Sequence, residues 1–141
     1  MKAMLFLVLS VALFCCGPVM AQTALTIQSI SETALEATYA NADTENGNKV
    51  INPGGDLILH FKNPGASAAV VTVTAQKTSK NVPGLGPLTK ASITCNLAAG
   101  EDCFVGPLNT EFWNLGGSVF MTFSGVGSGD VDIAALRPTK P

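Results

Sequence analysis

The chain has 141 residues, 47% of them hydrophobic and only 13% charged, with eight Lys and Arg against ten Asp and Glu for a net charge of −2. It contains no basic cluster, so the phosphate neutralisation that nucleic-acid binding needs has no source. At this length one domain is the default, and the abundant Ser, Thr, Asn and Gly describe a polar but nearly uncharged surface.

In chain order, the first zone reads as a secretory leader: Lys2 is a positive n-region, Ala3 to Phe14 an apolar h-region, and Val19-Met20-Ala21 a small-x-small site before Gln22. Cleavage after Ala21 leaves residues 22–141 as the folded domain. The apolar run falls short of the roughly 20 residues that cross a bilayer, and Gly17-Pro18 break it, so no membrane span is expected after cleavage. The same residues support a second reading, in which Met20 is the true start and what precedes it is an upstream extension of the gene. Cys15 and Cys16 leave with the leader, and the pair Cys95 and Cys103 that remains suits an oxidising compartment.

After Gln22 the patterning has the period of strands. Leu25 to Ile30 is the first, and Ser31 to Ala40 fits either a short helix or a strand near Leu35 to Ala40. Leu57, Leu59 and Phe61 alternate with Ile58, His60 and Lys62; Val71, Val73 and Ala75 with Thr72, Thr74 and Gln76; Ile93, Cys95 and Leu97 with Thr94 and Asn96. Val119, Met121 and Phe123 repeat the pattern, as do Val131, Ile133 and Ala135. Turn signals separate the runs: Asn46-Gly47, Pro53-Gly54-Gly55, Asn63-Pro64-Gly65, Pro83-Gly84, Gly116-Gly117 and Gly125 to Gly129. The pattern predicts an all-β protein, a single antiparallel β-sandwich or jelly-roll-like domain of about seven or eight strands, with the alternating apolar sets as its core. Ala98-Ala99-Gly100 reads as a three-residue hairpin loop, Gly last in the left-handed position. Counting outward sets Cys95 opposite Cys103, at a separation that a disulfide bridges.

Chemistry has few carriers. His60 is the sole histidine, on the less apolar face of its strand; a catalytic triad would have to use it, yet no Ser stands in a nucleophile elbow. A blue-copper site needs two histidines. The expectation is a partly exposed strand histidine and no catalysis, cofactor or metal. Asn41, Asp43, Glu45, Asn46 and Asn48 form an oxygen-rich loop in which Asp43 and Glu45 are calcium candidates, but the EF-hand order fails and an Asx-rich turn explains the same residues. Asp130 and Asp132 invite the same two readings. Phe112 and Trp113, between Asn109 and Asn114, form an aromatic pair in a loop that either anchors a partner or sugar or plugs one end of the sandwich.

The ordered segments Asp56 to Asn63, Gly65-Ala66-Ser67 leading into Val70 to Thr74, Ala98 to Asp102 followed by Val105-Gly106-Pro107, and the closing Asp130 to Pro138 resemble small structural proteins of tailed bacteriophages, the capsid accessory or decoration subunits built on one β-sandwich or jelly-roll. The resemblance spans residues 22–138. It implies a non-enzymatic homo-oligomer whose partners are its own copies or a larger protein lattice, with Met20-Ala21-Gln22-Thr23 matching the family's start and the virion as its location. The leader and the Cys95/Cys103 pair depart from a protein assembled in the cytoplasm. They leave open the alternative, an exported bacterial surface or adhesion module that binds a protein or glycan through Phe112 and Trp113.

Overall fold

A computed structural model describes residues 21–32 and 34–139, so the leader expected over residues 1–21 lies, Ala21 apart, outside the described residues. The chain is all-β: two sheets face each other and a two-stranded hairpin stands beside them. In the first sheet the spatial order is β1 (Thr23–Leu25), β4 (Asn48–Ile51), β11 (Ser118–Ser124), β6 (Ala69–Val73) and β9 (Ile93–Leu97). The second runs β10 (Asp102–Leu108), β5 (Leu57–Lys62), β12 (Asp132–Pro138) and β2 (Ile27–Ile30), with β3 (Ala40–Asn41) beside the start of β12. The hairpin pairs β7 (Ser79–Val82) with β8 (Gly86–Thr89), and Thr110–Trp113 form a single helical turn, α1.

The alternating residues set the register of both sheets, because a slip by one residue would turn a whole apolar set to solvent. Leu57, Leu59, Phe61, Val71, Val73, Val119, Met121, Val131 and Ile133 are all buried to 1% exposure or less, and Leu97 and Phe123 join them in the core. Ile93 is half-buried against that core. Phe61 and Phe123 meet edge to face across the sheets with centroids 6.4 Å apart, so aromatic packing as well as area joins the two layers.

Four expectations are corrected. The sandwich is not purely antiparallel: β1 runs parallel to β4 and β2 parallel to β12. The expected first strand breaks at Thr26, which carries the chain from one sheet to the other, so a single apolar stretch closes both layers along one side. Ser31 to Tyr39 holds neither helix nor strand among its described residues; instead the Gln28 side chain donates to the Thr38 carbonyl at 2.6 Å and accepts from the Thr38 amide at 2.7 Å. Ala98-Ala99-Gly100 does not close a hairpin. Gly100 is left-handed as expected (φ 80°), but β9 pairs with β6 in one sheet and β10 with β5 in the other, so the turn arches between layers.

Buried asparagines hold the ends. Asn63 donates from Nδ2 to the carbonyls of Ser67 (2.8 Å) and Leu97 (3.0 Å) and accepts from the Gly65 amide. Asn52 does the same at the other end, donating to the Leu108 carbonyl and to Oδ1 of Asn114 while Asn114 donates back to the Asn52 carbonyl at 2.7 Å. Backbone groups at the sandwich ends thereby find partners that the ladders cannot supply.

Candidate functional site

A connected polar and aromatic cluster lies on the outer face of the second sheet. Alternation turns His60 away from the core, and β10 and β12 flank it through the register pairs Phe104↔His60 and Ala134↔His60. His60 is buried, not partly exposed as expected: the Phe104 ring lies over it at 3.8 Å between centroids and 9° between planes, and Tyr39 meets its edge. Both ring nitrogens are engaged, Nδ1 with the Tyr39 hydroxyl at 2.9 Å and Nε2 with Asp102 Oδ2 at 2.9 Å. A neutral imidazole that donates from Nε2 to the carboxylate and accepts the phenol proton at Nδ1 satisfies every group at once. Lys62 Nζ, 4.3 Å from the Tyr39 ring centroid, completes the packing as a cation over an aromatic face.

Cys95 and Cys103 meet on the side where the sheets are open. Each sits on an edge strand of a different sheet, both are half-buried against the core, and their side chains are within hydrogen-bonding contact as free thiols in this structure. They are therefore adjacent as expected, though by the arch between layers and not by the hairpin register. Burial pushes the Cys103 thiol up to about 12, and contact with Cys95 and the charge of Asp102 act in the same direction.

The oxygen-rich loop folds as an Asx turn. Asp43 Oδ1 accepts from the Asn46 amide at 2.9 Å and the Glu45 amide at 3.2 Å, and Oδ2 accepts from the Thr23 hydroxyl at 2.8 Å, which together hold its carboxyl below the usual range. Glu45 contributes only that amide and is exposed, so the two calcium candidates do not converge on one point. Asp130 likewise bonds its own loop, accepting from the Gly127 amide.

Of the two readings of Phe112 and Trp113, the geometry fits the plug. Asn109 caps the turn of α1 by accepting from the Phe112 amide, and this drives Trp113 into the core at 2% exposure, where it plugs the sandwich end; Phe112 is half-buried beside it. The Asn109-x-x-Phe112 spacing is the cap signal that marks the turn.

Sequence reasoning missed the β7–β8 hairpin. Amides of Gln76 and Lys77 both donate to the Phe112 carbonyl, and Lys80 bonds Glu111 at 2.8 Å, which fixes the base of the arm on α1. Beyond that base the arm is bare: Leu85 is 78% and Leu88 49% exposed, and nothing lies within 4 Å of where a side chain on Gly84 or Gly86 would begin. The signal was present as Pro83-Gly84-Leu85-Gly86-Pro87, a tight tip between two positive-φ glycines. Among the described residues, no helix is long and apolar enough to cross a membrane. Comparisons of the chain with protein-family profiles, curated proteins and solved structures return no match.

Proposed function

We propose that this protein is a non-enzymatic structural subunit, a jelly-roll-like β-sandwich behind a secretory leader or a Met20 start, that works by joining its own copies or a larger protein lattice of the capsid-accessory kind. The observation that carries the reading is the β7–β8 arm. A two-stranded hairpin alone is marginally stable in water, and one that holds leucines out to solvent is completed by a neighbour that covers them. The low density of charge supports the same reading, because interface cores are depleted in Lys, Glu and Asp. Sedimentation velocity across micromolar to millimolar protein tests it: a defined oligomer or open assembly is expected, and a monomer at every concentration that also fails to coat particles refutes it.

One observation favours the exported surface module instead. Phe104, 64% exposed and stacked on an immobilised His60, offers a rigid aromatic face to a partner or sugar. Chemical-shift perturbation confined to Phe104, Lys62 and Asp102 on titration with glycans would establish that reading over the first.

A further inference from the structure

We propose that the outer face of the second sheet binds a neutral sugar ring, stacked on Phe104 and hydrogen-bonded by Asp102 and Lys62; this rests on the aromatic-face reading above and gives it a ligand class. Among the described residues, Phe104 is the one aromatic in the set of large apolar side chains left exposed. One face of its ring covers His60, which the Tyr39 hydroxyl and Asp102 hold by both nitrogens. The other face is therefore presented to solvent in a fixed orientation. Towards β12 the same side of the sheet is closed, since Ala134, opposite His60, is 1% exposed and Leu136 is 7% exposed. The bare aromatic is thus particular to the edge strand β10.

One register row along, Asp102, Lys62 and Asp132 stand side by side on β10, β5 and β12. Two residues of strand, about 7 Å, separate that row from Phe104, within reach of the substituents of a ring lying on the plate. The row lines a concavity of about 320 Å³ together with Glu101. Asp102 gives Oδ2 to His60 while its side chain is 58% exposed, so Oδ1 is open to a hydroxyl donor. Lys62 holds its ammonium over the Tyr39 ring, which leaves N–H groups for an oxygen acceptor.

The ligand class follows from what the site combines. The Lys62 ammonium in the middle of the row repels a simple cation, and the three carboxylates of Glu101, Asp102 and Asp132 outnumber it and repel an anion. A wholly apolar group would desolvate the row without returning a hydrogen bond. A neutral polyhydroxyl ring meets every demand at once: its C–H face lies on the aromatic plate, and its hydroxyls both accept from Lys62 and donate to Asp102. The site is distinct from the arm, which joins β6 to β9 in the other sheet, so sugar binding and self-association are tested separately.

NMR titration of the purified protein tests this, with cellotriose, mannotriose and tri-N-acetylchitotriose as neutral sugars, trigalacturonate as an acidic one and tetramethylammonium as a bare cation. At least one neutral sugar should shift Phe104, Asp102 and Lys62 together and saturably. Phe104→Leu keeps His60 covered but removes the flat ring; it should weaken binding at least about tenfold, whereas Phe104→Trp should retain it. The position is 64% exposed, so thermal melts of both variants should match the parent. Lys62→Met should weaken binding about two- to tenfold, the loss of one hydrogen bond. A response at Phe104 to trigalacturonate or tetramethylammonium, with none to any neutral sugar, overturns the ligand class and leaves the aromatic-face reading standing. Neutral-sugar binding that Phe104→Leu does not weaken places the sugar elsewhere and overturns the inference. So does a Phe104 that no probe moves; if binding to a glycan array and to bacterial cell surfaces is also unchanged by Phe104→Leu, the aromatic-face reading falls with it.

Discussion

Asn63→Ala should be among the most damaging single changes outside the apolar core. The side chain is 1% exposed at the end of β5 and reaches the ends of both layers: Nδ2 donates to Ser67 and Leu97, with a longer contact to Ala98 at 3.1 Å, and Oδ1 accepts from the Gly65 amide. Ser67 and Ala98 are exposed, so water replaces the lost donor there at little cost. Leu97 is 2% exposed, and its carbonyl loses a donor where water cannot follow. One bond in a dry site and two partly compensated ones sum to about 2–4 kcal/mol, a fall in melting temperature on the order of 10 °C for a domain of this size. Asn63→Asp is the sharper probe, since it keeps the shape but turns a carboxylate toward carbonyl oxygens. It should be at least as damaging at neutral pH and should recover as acid protonates the carboxyl and restores a donor. Urea unfolding of the three proteins at two pH values decides the matter. A loss below about 0.5 kcal/mol in Asn63→Ala, with Asn63→Asp no worse, would show that the two layers are held at this end by packing alone.

Burial keeps the Cys103 thiol protonated to about 12 against an ordinary 9.0. As pH rises from about 9 towards 12 the unfolded chain loses that proton first, so the reduced protein should lose stability over this window and Cys103→Ala should lose less, as read from urea midpoints. Mild oxidation with a glutathione disulfide buffer should bond Cys95 to Cys103 and stabilise the fold by about 2–3 kcal/mol for so short a loop, checked by intact mass and by melts with and without reductant. Gly47 has φ 77°, and a side chain there would begin 2.5 Å from the Met121 carbonyl oxygen; Gly47→Ala should cost more than about 2 kcal/mol, and a neutral result in thermal melts would mean that β4 and β11 can part at that point. Leu59→Ala, at a site with no exposure, should cost about 2–5 kcal/mol in the same assay.

The alternating runs were legible because a strand with one wet face leaves a period of two in the sequence whatever its neighbours do. Leu57 to Phe61, Val71 to Val73 and Val119 to Phe123 therefore declared both their conformation and their buried face. Pairing was not legible. The turn chemistry at Ala98-Ala99-Gly100 is local and correct, with Glu101 even bonding the Ala98 amide from its side chain, yet the same left-handed glycine serves a hairpin or an arch. What decides between them is which sheet accepts β10, and that depends on β5, some forty positions earlier in the chain. The break at Thr26 was hidden for the same reason: the first strand is continuous in propensity, and only the competing ladders of β4 and β12 divide it.

The site was less legible than the fold because its residues are polar groups whose role is set by what covers them. His60 lay on the face read as wet, and it became buried only because Phe104 and Tyr39 close over it from other strands. Asn63 looked like a turn former, which it is, but it also reaches across to the opposite layer's chain end, as does Asn52 at the other end. Trp113, the largest apolar side chain, was drawn into the core by the capping of α1. With each of these groups engaged within the chain, the large apolar side chains left exposed are Leu35, Ile51, Leu85, Leu88, Phe104 and Leu115. Leu85 and Leu88 stand on a hairpin that pairs with neither main sheet, whereas Phe104 lies flat on His60, which is why the proposed association is placed on the arm and not on the aromatic face.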